Sequence, residues 1–226
     1  VVKKNWAAIE EGAKQVVKVE VPESWKNCED EGLEMAHATE GRQDVVDFVN
    51  NIQSKVNAQE GYSLPVSAFK DYVDGSTPSG SAAYEKRGIA VNVPVWNSDN
   101  CIQCNFCSYV CPHAVIRPVV MNEEEAAAAP AEMKKIPMTG MPGYYFSMTV
   151  SALDCTGCGS CVNVCPGKKG EKALSMDGLE KNLGEQPIFE FGQKLSEKPE
   201  VLAKFKENPV KGSQFRKPYL EFSGAC

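Results

Sequence analysis

The chain has 226 residues, a formal net charge of −6 and 42% hydrophobic residues, which is enough for one large domain or two small ones. The acidic balance argues against a general nucleic-acid-binding protein, whose surface would be basic. No apolar run approaches the ~20 residues that span a bilayer, and the N-terminal sequence does not resemble a secretory signal. We therefore expect no nucleic-acid partner and no membrane partner.

Before residue 62 the sequence predicts two helices and one strand. Apolar residues near the N-terminus have helical spacing, and the alternating residues 16–21 that follow them predict a strand. A second helix is predicted over residues 44–56, where apolar side chains recur every three or four positions. Proline and glycine interrupt residues 62–95, which are too few to bury a core of their own and are expected to wrap a neighbour.

From about residue 93 the sequence repeats itself with an offset of 54 residues: NSDNCIQCNFCSYVCPHAVI returns as SALDCTGCGSCVNVCPGKKG. Strand-like residues precede each copy, at 93–96 and 144–150, and follow the first copy at 115–120. The insertion between the copies, residues 121–143, is expected to open as a short acidic helix that ends at a proline. After residue 174 the chain is predicted to be polar and loop-like, with one helix near residues 196–206.

Eight of the ten cysteines fall in the two repeats, and only Cys28 and Cys226 stand apart. Each repeat reads C-x2-C-x2-C-x3-C-P, the spacing typical of proteins with two [4Fe–4S] clusters. Cysteines this close do not readily form disulfides with each other, and structural zinc normally uses two CxxC pairs with a longer spacer. The pattern favours two cubane clusters over zinc or disulfides, and a reducing, cytoplasmic compartment.

The spacing also predicts how the ligands are shared. Three cysteines let one loop surround one cluster, with backbone N–H groups turned toward its sulfides. The fourth cysteine follows about one helical turn later and is therefore predicted to bind the cluster of the other repeat. Cluster A would be held by Cys101, Cys104, Cys107 and Cys165. Cluster B would be held by Cys155, Cys158, Cys161 and Cys111. Small residues in the second loop, Gly157, Gly159 and Ser160, would let its backbone approach the cluster.

The motif offers no nucleophile, no base and no open metal position, so no catalytic residue is predicted. Two clusters on interleaved loops suit the relay of single electrons; a scaffold whose clusters are structural is the alternative. Basic residues near the loops predict either simple solubility or a docking patch for an acidic electron carrier. These are Arg117, Lys168, Lys169 and Lys172.

Other polar positions carry weaker predictions. Glu85-Lys86-Arg87 is predicted to be an exposed charge run, and His37 a solvated loop residue. His113 is expected to be a surface loop residue, with tuning of a cluster as the alternative.

Four segments resemble the large single-chain pyruvate:ferredoxin (flavodoxin) oxidoreductases. They are SLPVSAF (63–69), the stretch 74–118 with its EKRGIA sequence, LDCTGCGSCVNVCP (153–166) and KGSQFRKPYLEFSGAC (211–226). Plain ferredoxins lack the EKRGIA segment and the KGSQF tail. The resemblance implies an internal piece of a longer polypeptide.

The implied domains are the end of a gamma-type domain (1–55), an EKR linker domain (56–95), a ferredoxin-type domain (96–210) and a lead-in to the thiamine-diphosphate domain (211–226). The implied fold is α+β: a bacterial two-[4Fe–4S] ferredoxin-type domain with a long insertion. It would follow an irregular linker and a helix-and-strand remnant of an α/β domain.

The resemblance also implies an activity for the full-length enzyme, which would convert pyruvate and coenzyme A to acetyl-CoA and carbon dioxide. It would use thiamine diphosphate, Mg²⁺ and a third [4Fe–4S] cluster, for which Cys226 would be a ligand. The present segment would hold the medial and distal clusters and would not decarboxylate alone; the spacing is compatible with either cluster being distal. Its partners would be the remaining domains, a second copy in a homodimer, and ferredoxin or flavodoxin. A related enzyme acting on another 2-oxoacid is the alternative.

Overall fold

A computed structural model describes residues 1–27 and 37–217, so Cys28 and Cys226 lie outside the described residues. The chain divides into two compact units, Val1–Glu34 and Met35–Cys226. In the part of the chain that is described, no helix is both long enough and apolar enough to cross a membrane.

The first unit contains helix α1, Val2–Lys14, which confirms the predicted N-terminal helix. The predicted strand over residues 16–21 is wrong, because this segment lies outside any strand and none of the described residues pairs with it. Its four valines, at positions 16, 17, 19 and 21, are all exposed. Alternation alone does not make a strand when no neighbouring backbone takes up its hydrogen bonds. A 3₁₀ turn, Glu23–Asn27, follows.

The second unit begins with a helical segment that confirms the prediction for residues 44–56. Helix α2, Gln43–Phe48, runs through a π-helical turn, Val49–Gln53, into helix α3, Ser54–Asn57. Val45, Phe48, Val49 and Ile52 on the apolar face of this segment are buried, whereas Val56 near its end is exposed. Short 3₁₀ turns follow at Gly61–Ser63, Val66–Tyr72 and Ser81–Tyr84.

Two small antiparallel sheets form the centre of the unit. Strand β1, Asn92–Trp96, pairs with the last strand, β5, Leu174–Gly178. The other sheet has the order β2–β4–β3, with β2 at Ile116–Met121, β3 at Ile136–Pro137 and β4 at Tyr145–Val150. Each repeat therefore begins and ends on a strand, since β1 and β2 flank the first and β4 and β5 flank the second. The remaining helices are α4 (Phe106–Tyr109), α5 (Glu123–Ala128), α6 (Ser160–Val164), α7 (Glu185–Lys194), α8 (Pro199–Phe205) and α9 (Val210–Ser213).

The insertion between the repeats opens with the predicted acidic helix, α5. Its N-cap is a capping box: the Glu125 N–H donates to Asn122 Oδ1 at 2.8 Å, and the Asn122 N–H donates to Glu125 Oε2 at 3.0 Å. Three glutamates in the first turn also favour the helix through its dipole. Glu125 pairs in addition with Lys198, just before helix α8, at 2.7 Å. The insertion is thereby tied to the C-terminal part of the unit.

We expect Asn122→Ala to lower the free energy of unfolding by about 1 kcal/mol, because the Glu125 N–H in the first turn loses its side-chain acceptor. Chemical denaturation of the full chain measures this. Glu124→Ala, at an exposed position of the same helix, is the control and should change stability by a few tenths of a kcal/mol at most. Equal stability of the two variants would contradict the cap's role.

The chain after residue 174 is more ordered than predicted. It forms strand β5 and the ten-residue helix α7 in addition to α8, which confirms the one helix expected there. Helix α7 packs against the sheet through Gly192, where a Cβ would come within 2.7 Å of Val119 Cγ2. Pro187 and Gly192 lower the helix propensity of the sequence, but burial of Ile188 and Phe189 outweighs that loss.

Candidate metal centre

The two cysteine loops have the same backbone shape. In the second loop, Gly157 and Gly159 adopt left-handed conformations with φ of 72° and 74°. In the first loop, the residues 54 positions earlier are Gln103 and Asn105, and they have positive φ of 55° and 63°. In both loops the N–H of the first left-handed residue lies beside the first cysteine, with Gln103 N to Cys101 Sγ at 3.4 Å and Gly157 N to Cys155 Sγ at 3.3 Å. Backbone N–H groups thus face sulfur in both loops.

The first loop holds its left-handed residues in place with side-chain hydrogen bonds. Gln103 Nε2 donates to the Pro137 carbonyl at 2.9 Å, and the Thr139 N–H donates to Gln103 Oε1 at 2.8 Å. Asn105 Nδ2 donates to the Lys211 carbonyl at 2.8 Å. Both side chains are buried. A non-glycine residue rarely adopts positive φ, so these bonds to the insertion and the C-terminal segment offset a conformational cost that glycine avoids in the second loop.

A single helical turn separates the third and fourth cysteines of each repeat. Helix α4 leads to Cys111, whose N–H donates to the Ser108 carbonyl at 3.3 Å, and helix α6 leads to Cys165, whose N–H donates to the Val162 carbonyl at 3.3 Å. The turn carries each fourth cysteine away from its own loop. The Ala173 N–H then donates to Cys165 Sγ at 3.3 Å.

The eight cysteines line two separate cavities. The cysteines of the first cavity are Cys101, Cys104, Cys107 and Cys165. The cysteines of the second cavity are Cys111, Cys155, Cys158 and Cys161. Each cavity therefore takes three thiols from one repeat and the fourth from the other. This division matches the two predicted ligand sets; ligation itself stays a prediction.

Burial makes thiolates costly in both cavities. It raises the pKa of the Cys101, Cys107 and Cys155 thiols, and that of Cys161 to about 11. Cys158 differs: it is exposed, and the nearby Ser160 hydroxyl lowers its pKa. Buried thiols become ligands only where a positive centre stabilises the thiolate.

The donor set fits an iron–sulfur cluster better than a single ion. Within residues 1–27 and 37–217, no three histidine, cysteine or acidic side chains are placed to hold one metal ion, yet four cysteines line each cavity. A cubane carries four iron atoms, each of which needs one thiolate, and so suits thiols spread around a cavity.

Trp96 lines the first cavity and was not predicted as a site residue. Its indole Nε1 is buried with no hydrogen-bond partner of ordinary geometry in the described structure. Burial raises the pKa of the Cys101 thiol, and the nearby Trp96 indole opposes that rise. The two repeats differ at this position, because Val150 occupies the equivalent place in the second repeat.

Arg117 is buried, so its predicted place in an exposed docking patch is wrong. Its guanidinium donates to Gln214 Oε1 and to the carbonyls of Gln214 and Arg216, at 3.1, 3.1 and 2.8 Å. No acidic side chain of the described residues pairs with it. Burial lowers the pKa of Arg117 to about 10, and the nearby Cys111 and Cys107 oppose that shift. The charge therefore faces one cysteine of each cavity.

The other basic residues divide between structural and exposed positions. Lys172 Nζ donates to the carbonyls of Val162 and Asn163, at the end of helix α6, at 2.6 and 3.2 Å. Lys168 and Lys169 are exposed beside the second loop. His113 is half-buried and lines the second cavity, while His37 is exposed as predicted.

Lys86 and Arg87 of the Glu85-Lys86-Arg87 run are exposed, as predicted, and Glu85 is half-buried. Lys86 also forms an ion pair with Asp154, the residue before Cys155, and the two side chains are 28% and 14% exposed. Arg87 pairs with Glu85. The periodicity of the sequence gives no sign of this long-range contact.

The comparisons first define the class of protein. Residues 100–169, which carry both cysteine runs, match a family described as a 4Fe-4S dicluster domain. Residues 35–90 match the EKR family, described as a domain of unknown function. The chain is thus a mixed helix-and-strand protein that contains an iron–sulfur dicluster domain behind an EKR domain.

Three larger enzymes contain a sequence similar to all or most of this chain. Over 226 residues the chain is 46% identical to the pyruvate-flavodoxin oxidoreductase of Enterobacter agglomerans, covering all of this chain and 18% of the relative. It is 44% identical over 225 residues to the pyruvate:ferredoxin oxidoreductase of Moorella thermoacetica, with 98% and 18% covered. It is 45% identical over 187 residues to the pyruvate dehydrogenase [NADP(+)] of Cryptosporidium parvum, with 81% and 9% covered.

The chain is therefore similar over its whole length to pyruvate-flavodoxin and pyruvate:ferredoxin oxidoreductases, as the resemblance indicated, and spans about 18% of the length of these bacterial relatives.

Proposed function

We propose that this segment relays electrons through two [4Fe–4S] clusters within a pyruvate oxidoreductase. The observation that carries the proposal is the division of eight thiols between two cavities, each with three thiols from one repeat and one from the other. Clusters that share ligand loops in this way lie close together, which favours electron exchange between them. The proposed relay domain is residues 96–210, behind an EKR linker at 56–95.

Cluster A would bind to Cys101, Cys104, Cys107 and Cys165, and cluster B to Cys155, Cys158, Cys161 and Cys111. The clusters supply one-electron oxidation and reduction. The cysteines of this chain would hold them, and the backbone N–H groups of Gln103, Gly157 and Ala173, which lie beside cysteine sulfurs, would help to stabilise their charge. N–H donors and burial set the reduction potential of such a cluster.

In the full-length enzyme, electrons would come from the oxidation of pyruvate at a thiamine-diphosphate site, with Mg²⁺ and coenzyme A, and would pass a third cluster. The names of the relatives include flavodoxin, ferredoxin or NADP(+). That variety supports a relay that serves different acceptors, of which ferredoxin or flavodoxin is proposed here. The remaining domains of the oxidoreductase, in a cytoplasmic homodimer, would be its constant partners.

Reversible low-potential redox cycling tests the relay. The full chain, prepared without air, should show two clusters that a strong reductant reduces and that ferredoxin or flavodoxin reoxidises, followed by EPR. Clusters that load but accept no electrons would support the alternative, a scaffold with structural clusters, and would contradict the relay.

A further inference from the structure

The EKR motif contacts the start of the second cysteine loop. We propose that Lys86, with the backbone that follows it, is a positioning element that fixes this loop so that Cys155 is presented to cluster B. We call residues 86–92 the latch. The inference gives a role to a domain described as having no known function, and it rests on the proposed function, because the loop must hold a cluster.

The ion pair between Lys86 and Asp154 is the charged part of the latch. Asp154 directly precedes Cys155, and its carboxylate also accepts a hydrogen bond from Ser151 Oγ at 2.6 Å. Two donors of different origin therefore hold one carboxylate next to a predicted ligand. Both side chains are partly shielded from water, so the pair is screened less than a fully exposed surface pair.

The backbone part of the latch reinforces the same contact. The Gly88 N–H donates to the Leu153 carbonyl at 2.9 Å, just before the loop. Gly88 has φ of +58°, and a Cβ there would lie 3.2 Å from Leu153 Cδ2. Ala90 is buried in one apolar cluster with Cys155. At Gly157 a Cβ would lie 3.0 Å from the Asn92 carbonyl oxygen, so the loop and the latch are in close contact.

The first cysteine loop is anchored differently. The position equivalent to Asp154 is Asn100, an uncharged residue whose Nδ2 donates to the Lys172 carbonyl at 3.3 Å. Loss of the Lys86 charge should therefore act on cluster B and spare cluster A. This selectivity distinguishes positioning from a general loss of stability, which would affect both clusters.

Lys86→Met in the full chain, loaded anaerobically with iron and sulfide, tests the latch. The rate at which each cluster is lost to an iron chelator is followed by EPR of reduced samples, with the cluster B signal assigned through Cys158→Ser. We expect cluster B to be lost about threefold to tenfold faster and cluster A at the wild-type rate. Lys70→Met, at an exposed position of the same domain, is the control and should change neither rate.

A charge exchange provides the second test. Asp154→Lys alone should weaken cluster B, and the double variant Lys86→Asp with Asp154→Lys should restore much of its lifetime, because the pair is re-formed with opposite polarity. Equal loss of both clusters in Lys86→Met, or no rescue by the exchange, would overturn the latch. A wild-type chain that binds fewer than two clusters would instead contradict the proposed function, so the two failures are distinguishable.

Discussion

Replacement of Cys165 by serine is expected to remove or alter cluster A, although Cys165 belongs to the second repeat. The reason is geometric, since the turn of helix α6 carries this thiol out of its own loop and into the first cavity. Iron should fall from about eight to about four atoms per chain if cluster A is lost entirely. Iron analysis and EPR of the reduced chain measure the change.

Matched variants make this test specific. Cys104→Ser removes a ligand that lies in the first loop and lines the same cavity, so its spectrum should resemble that of Cys165→Ser. Cys158→Ser and Cys111→Ser should form the opposite pair, with cluster B altered in both. A Cys165→Ser spectrum that matches Cys158→Ser would show that each loop binds its own fourth cysteine, and the crossed arrangement would be wrong.

The second large effect is expected at Arg117. Arg117→Met removes three hydrogen bonds to the C-terminal segment and a buried positive charge that faces Cys107 and Cys111. We expect the free energy of unfolding to fall by roughly 2–4 kcal/mol, because donors with a formal charge make the stronger hydrogen bonds. Denaturation of the full chain measures this change.

The same variant should make both clusters harder to reduce, because reduction adds negative charge near the lost cation. A shift of about 59 mV for one electron corresponds to a tenfold change in the ratio of reduced to oxidised cluster. Arg117→Lys keeps the positive charge but lacks the planar guanidinium group and its several donors. We therefore expect its reduction potentials to be closer to wild type than its free energy of unfolding. Lys169→Met, at an exposed cation, is the control. Wild-type potentials in Arg117→Met would contradict this account.

The candidate site was largely predictable because its information is local. The spacing of cysteines within each repeat, and the single turn before each fourth cysteine, required no knowledge of distant contacts. The second loop's glycines were predicted only to let its backbone approach the cluster, and the structure adds that both have positive φ. The residue types of Gln103 and Asn105 do not indicate positive φ. The offset of 54 residues aligns them with Gly157 and Gly159, and that alignment could have predicted their backbone conformation.

Long-range contacts account for what sequence reasoning missed. Arg117 was predicted to be exposed because arginine usually is, and only its bonds to Gln214 and Arg216 explain its burial. Lys86 meets Asp154 across 68 positions of sequence. The valines of residues 16–21 have strand-like alternation but no partner strand among the described residues. In each case the result depends on whether a distant segment makes a contact, and a local sequence pattern holds no information about that.

Iron and acid-labile sulfide content tests the central claim most directly. The full chain, prepared without air, should contain about eight iron atoms and about eight sulfides per chain, as two cubanes require. A chain that binds zinc without sulfide, or whose two cysteine runs are joined by disulfides under those conditions, would contradict the account.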